Sequence, residues 1–126
     1  MGKLMLLQDC SSLTDAPALP VETLAKYCYN GMFAGCSSLT TAPVLPAPTL
    51  ADFCYVDMFS GCTNLRAVTC LATNISAADC TTDWLKDAGT AVTGTKTFYK
   101  AASMENWTTG DNGIPSGWTV EDYVAP

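Results

Sequence analysis

Seven cysteines carry most of the chemistry that this chain offers, and their spacing is regular. Cys10, Cys36 and Cys62 are evenly spaced, Cys28, Cys54 and Cys80 repeat the same interval, and Cys70 belongs to neither set. Seven is odd, so at least one thiol has no intrachain disulfide partner. Three readings compete. The cysteines are small buried hydrophobes. Or they form disulfides, as Cys10–Cys28, Cys36–Cys54 and Cys62–Cys80 or as a local Cys70–Cys80 bridge. Or they hold a metal. Cysteines repeated in a ladder have parallel Cα–Cβ directions. Their Cβ atoms then sit near the strand spacing, beyond the ~3.5–4.5 Å of a bridge, which disfavours crosslinks between adjacent copies. A zinc site usually shows a CxxC pair or histidine, and neither is in the sequence. Buried thiols are therefore the expectation, with no metal and no cofactor.

The rest of the chemical inventory is thin. Histidine is absent, which removes the commonest general base. Serines are plentiful, but no GxSxG elbow occurs, and a cysteine nucleophile usually needs a histidine beside it. The chain is expected not to be an enzyme. Asp111-Asn112-Gly113 is too short for a calcium loop. Asp9, Asp52, Asp57, Asp83 and Asp87 read as a solvated face. Asn74-Ile75-Ser76 and Asn106-Trp107-Thr108 fit the glycosylation pattern, which is common by chance. A net charge of −6, with six lysines and arginines scattered along the chain, argues against nucleic acid. No apolar run approaches the ~18–20 residues of a membrane span. The opening MGKLMLLQD is too short and too weakly basic for a signal peptide, so export would rely on a signal upstream or already removed.

The cysteine spacing belongs to a repeat. Cys10–Gly35 and Cys36–Gly61 match at 17 of 26 positions without a gap. A third unit, Cys62–Asp87, matches the second at six, including Cys62, Leu65, Leu71, Ala77 and Cys80. Leu6-Leu7 falls where Met32-Phe33 and Met58-Phe59 fall, so residues 1–9 read as part of an earlier unit. Residues 1–87 are then the repeat array and 88–126 a C-terminal capping segment. A period in the twenties with leucine at fixed positions is the leucine-rich-repeat range. Stacking would place Leu13, Leu39 and Leu65 in one ladder, Ala16, Ala42 and Val68 in the next, and Leu19, Leu45 and Leu71 in a third, about 4.8 Å per step.

Within a unit, LTTAPVLP reads as a short extended segment, because its prolines forbid helix and limit ladder hydrogen bonds. TLADFCYVDMFSG reads as helix. Thr49 suits the N-cap with Asp52 three residues on. Leu50, Phe53, Cys54 and Met58 share a face, and Gly61 suits the left-handed cap. The expected fold class is an α/β solenoid: parallel strands on one face, helices on the other, and a β-rich C-terminal cap.

The pattern MFxGCSSLTxAPxLPxxTLAxxCYxxMFxGC resembles the BspA-like leucine-rich repeats of bacterial surface proteins, especially those of gut bacteria. CLATNISAADCTTDWL and TFYKAASMENWTTGDNGIPSGWTVEDY resemble the terminal unit that follows such arrays. The resemblance implies a cell-surface or secreted protein and a broad role in adhesion or in host or matrix binding. Its alternative is a structural spacer or presentation domain of a larger surface or phage-particle protein, with no ligand of its own.

After Asp87 the repeat stops. TFYKAA and WTVEDYV read as strands, separated by the turn chemistry of TTGDNGIPSG. Trp84, Leu85, Phe98, Tyr99, Trp107 and Trp118 read as cap packing. Trp107 and Trp118 also make an alternative sugar platform. In the array, Leu39, Ala42 and Val44 or Leu45 point inward. The residues between them project from the strand face: Thr14, Asp15 and Pro17, then Thr40, Thr41 and Pro43, then Arg66, Ala67 and Thr69. The candidate ligand face is Thr14, Asp15, Thr40, Thr41, Arg66 and Thr69, for a protein or glycan partner, on a monomer. The same strip could be merely solvated.

Overall fold

The computed structural model describes residues 9–126. The lead-in unit, apart from Asp9, lies outside them. Regular secondary structure is sparse and entirely strand: β1 (Ala67–Cys70), β2 (Thr97–Lys100) and β3 (Thr119–Asp122). They form one parallel sheet in the order β1-β2-β3, with Val68 beside Phe98 beside Val120. Among the described residues there is no helix. The expected α/β solenoid with helices on one face is therefore wrong; what forms is a small fold with three short strands in an open sheet.

The segments expected to be helical are runs of turns instead. In residues 51–61 the backbone turns left-handed at every fourth residue, with φ of 58° at Phe53, 56° at Asp57 and 78° at Gly61. The same positions are Tyr27, Gly31 and Gly35 in the first unit, and Asp79, Asp83 and Asp87 in the third. Backbone groups then divide in a strict alternation. Amides of Cys28, Asn30, Met32 and Ala34 each donate to a carbonyl three residues back. Amides of Tyr27, Tyr29, Gly31, Phe33 and Gly35 donate to carbonyls of the next unit, those of Asp52, Cys54, Val56, Met58 and Ser60. The second unit repeats this toward the third, from Phe53→Ala78 to Gly61→Lys86. A helix would satisfy every amide within its own segment. Here half of them knit one unit to the next.

Thr49 and Asp52, expected as a helix cap, serve the same purpose. Thr49 makes a parallel bridge with Asn74, and the Asp52 carboxylate accepts from the Ala78 amide at 2.9 Å. The aspartates expected as a solvated face are largely turn residues. Asp9, Asp57, Asp83 and Asp87 hold positive φ, which aspartate tolerates better than most residues.

Prolines decide where the sheet becomes regular. Pro17 and Pro20, like Pro43 and Pro46, remove ladder donors, so the first two units contribute isolated bridges and no strand among the described residues: Asp15–Thr41, Thr41–Ala67, Leu45–Cys70 and Thr49–Asn74. The third unit has Thr69 and Ala72 at these places, and β1 forms there. The third unit also slips. Thr41 pairs with Ala67, one full period on, but Leu45 pairs with Cys70 and Thr49 with Asn74, each a single position short of the period. Cys70 thus takes the buried place expected for Leu71, which is partly exposed. The full step is restored by Cys80, opposite Cys54.

The core runs the length of the molecule. Leu39, Leu45, Leu65, Val68, Phe33, Phe59, Trp84 and Phe98 are almost or wholly inaccessible. Of the two inward candidates, Leu45 is buried and Val44 is 43% exposed. Aromatic rings stack between units, Phe33 on Phe59 at 5.5 Å and Tyr55 on Trp84 at 6.0 Å. Tyr27 and Phe53, two bulky residues at positive φ, stack at 4.8 Å with planes 6° apart.

The stretches read as strands in the C-terminal segment do form β2 and β3, but they extend the sheet of the third unit. The loop between them docks on that unit's turns. The Thr81 hydroxyl donates to the Asn112 carbonyl, the Asp83 amide to the Asn112 side chain, and the Trp84 indole to the Gly113 carbonyl at 2.8 Å. Gly113 lies so close to the Thr108 carbonyl that a Cβ would overlap it.

Candidate ligand-binding surface

All seven cysteines are thiols in the structure. Cys36, Cys54, Cys62, Cys70 and Cys80 are buried; Cys10 and Cys28 are partly exposed. The Cys62 thiol donates to the Phe33 carbonyl at 3.1 Å and the Cys80 thiol to the Ile75 carbonyl at 3.4 Å. Burial raises the pKa of Cys54, Cys62 and Cys70 from 9.0 to about 12, because a thiolate there would lose its hydration. Such groups are neutral at physiological pH and poor nucleophiles. Among the described residues no cluster of three cysteine, aspartate or glutamate side chains is placed to hold a metal ion.

The strand face is the other candidate. Alternation along the sheet sends Val68, Cys70 and Phe98 inward and turns Ala67, Thr69, Thr97 and Tyr99 the other way. The bridges carry this outward column back to Thr41 and Asp15. Of the six residues expected to form a ligand face, Asp15, Thr41 and Thr69 therefore lie on one continuous surface. Thr14 and Arg66 are exposed beside it, and Thr40 is partly buried with its carbonyl accepting from the Arg66 amide. Pro43, expected to project, is buried.

The surface extends further than the repeat predicts. Register places Thr97 and Thr119 in line with Ala67, and Tyr99 and Glu121 in line with Thr69. These four residues escape a search at the repeat period, because the step from β1 to β2 is longer than the period and the step from β2 to β3 is shorter. The signal that finds them is an apolar β-branched or aromatic residue next to a threonine in each strand: Val68-Thr69, Thr97-Phe98 and Thr119-Val120. One shallow groove over this face, about 270 Å³, is lined by Thr69, Tyr99, Glu121 and Tyr123. A more apolar groove of about 570 Å³ lies between the first two units, over Ala16, Leu19, Ala42, Val44 and Pro46.

Trp107 and Trp118 come together at one cleft of about 220 Å³, with Met104, Val120 and Glu105. Their rings are heavily engaged in packing. Trp118 is buried. Trp107 stacks on Trp84 at 5.3 Å and takes the edge of Phe98 at 5.2 Å. The Trp107 indole nitrogen is the one buried side-chain polar atom among the described residues without a hydrogen-bond partner. Such an orphan costs about 1–3 kcal/mol, which the ring's packing must offset.

Among the described residues no helix is long and apolar enough to cross a membrane. No family model, curated protein or solved structure matches the chain.

Proposed function

We propose that this chain is a non-catalytic interaction module of a cell-surface or secreted protein, and that it binds a protein or glycan through its strand face. The observation that carries this reading is the continuous outward column from Asp15 through Thr41, Ala67 and Thr97 to Thr119, held on a scaffold whose backbone is tied together unit by unit. Rigid scaffolds with polar, exposed strand faces are where recognition is built most readily. The chemistry on offer, threonine hydroxyls with Arg66, Tyr99 and Glu121 at the margin, suits hydrogen bonding to a polar partner. The absence of histidine and the high pKa values of the buried thiols favour binding over catalysis. The resemblance to BspA-like surface repeats supports adhesion or matrix binding and an extracellular setting.

We further propose that the face falls short of the ~800 Å² per partner of a standard interface, so that a single copy binds weakly and repetition supplies avidity. The test is a screen of the monomeric protein against glycan and matrix-protein arrays, followed by Thr41→Glu and Arg66→Ala. A ligand whose affinity falls on both substitutions supports the strand face. A ligand indifferent to both places the site elsewhere. The absence of any ligand favours a spacer that presents another domain.

A further inference from the structure

The end of the sheet at β3 is built differently from its middle. In a parallel sheet, amides point alternately to the two neighbouring strands. The Thr119 and Tyr123 amides donate to the Lys96 and Lys100 carbonyls, both at 2.7 Å. Val120 and Asp122 therefore turn their backbone groups outward, along an edge that no further strand covers among the described residues. The inner column also runs out there. Val68 and Phe98 are wholly buried, but Val120, next in the same column, is 45% exposed. Beside it opens the cleft floored by Met104 and Trp118. A core column, a hydrogen-bonding edge and an apolar cleft all end at one place.

We propose that β3 takes up an extended peptide segment of a partner protein as a fourth strand, with an apolar residue over Val120 and lysines or arginines flanking it. Strand addition uses the unpaired edge groups for affinity and pockets at alternate side chains for specificity. The charge follows from the local balance. The Lys100 ammonium is held by Asp122 at 2.7 Å. Glu121, on the face of β3 to which residues flanking that apolar one would turn, takes part in neither ion pair found among the described residues. The first described unit exposes Asp15 and Glu22, and its one lysine, Lys26, is paired with Asp52, which disfavours stacking a second copy onto this edge. The β3 edge borders the strand face at Glu121, but the proposal rests on the edge backbone and Val120 and stands without that reading.

The probe is a capped eight-residue peptide alternating lysine and valine, with a glutamate–valine peptide and an alternately N-methylated lysine–valine peptide as controls. The readout is amide exchange by NMR together with titration of the free protein. The lysine–valine peptide is expected to slow exchange at Val120 and Asp122 by roughly tenfold or more, while the N-methylated peptide does not bind. Val120→Pro removes an outward donor and leaves the Thr119 and Tyr123 bonds in place, so it should abolish binding with the melting temperature nearly kept. If that variant fails to fold, the N-methylated peptide tests the same hydrogen bonds from the other side. Glu121→Lys should reverse the preference to the glutamate–valine peptide. Four results overturn the proposal: no binding at millimolar peptide; equal binding of the N-methylated peptide; protection confined to Thr69 and Tyr99; or a monosaccharide shifting the Trp107 indole signal while the peptides leave Val120 and Asp122 unchanged.

Discussion

Phe53, Asp57 and Gly61 occupy the same backbone conformation with three different side chains. For an L-residue other than glycine the left-handed region costs roughly 1–2 kcal/mol. Phe53 holds it against Tyr27, whose ring is in turn 55% exposed and depends on the stack. Asp57 has no such support, and glycine occupies the equivalent place in the first unit at Gly31. Asp57→Gly should therefore raise stability by about 0.5 kcal/mol, the strain relieved less the added unfolded-state entropy. Gly61→Ala should lower it by about 1 kcal/mol; a Cβ there meets nothing nearer than Gly35 at 3.6 Å, so the change reports the backbone alone. Urea unfolding of the pair checks both signs.

The cysteines make a second prediction at this scale. Cys54, Cys62 and Cys70 keep their protons to about pH 12 when folded and lose them from 9.0 when exposed. Over that window the unfolded chain binds fewer protons, so stability falls as pH rises. Each thiol contributes a slope of up to ~1.4 kcal/mol per pH unit. Below pH 9 the contribution is fully present. Cys70→Val should flatten the alkaline decline by one thiol's share, measured from urea midpoints at pH values on either side of 9. A thiol reagent should label Cys10 and Cys28 in the native protein and all seven cysteines after denaturation.

At the scale of elements, some inward positions were legible, while Val44 and Leu71 were not and the solenoid with helices was wrong. Leu39, Leu65 and Val68 are buried where the period puts them. The helix reading of residues 49–61 failed because a turn repeating every four residues and a helix repeating every ~3.6 sort apolar side chains almost alike over so short a stretch. The discriminating signal was present. Asp79, Asp83 and Asp87, like Gly31 and Gly35, stand four apart, where a helix would have no reason to place turn-formers. The slip at Cys70 was hidden because the sequence units align without a gap while the backbone shortens and recovers between residues 70 and 80. Joining the C-terminal loop to the third unit, Trp84→Phe should cost about 1–3 kcal/mol, since it leaves the Gly113 carbonyl without the indole donor. Trp84→Ala should cost roughly 3–5 kcal/mol.

Across the whole molecule, the strand face became visible only with register in hand. Asp15, Thr41 and Thr69 could be placed from the period, whereas Thr97, Tyr99, Thr119 and Glu121 joined through unequal steps that no repeat search follows. The same steps make residues 88–126 integral. Their removal would uncover Val68, Cys70 and Trp84 together, and a chain ending at Asp87 should aggregate or fail to show a cooperative transition on heating.

The central claim is that successive units are joined through every second amide, so that the chain is a stack of turns carrying one continuous sheet face. Its most direct test is NMR assignment of residues 51–61. The account predicts positive φ from the couplings and shifts of Phe53, Asp57 and Gly61, with slow exchange at Phe53, Tyr55, Asp57, Phe59 and Gly61, and backbone contacts from these amides to residues 78–86. An unbroken run of helical shifts with sequential amide contacts from Leu50 to Ser60 would contradict it.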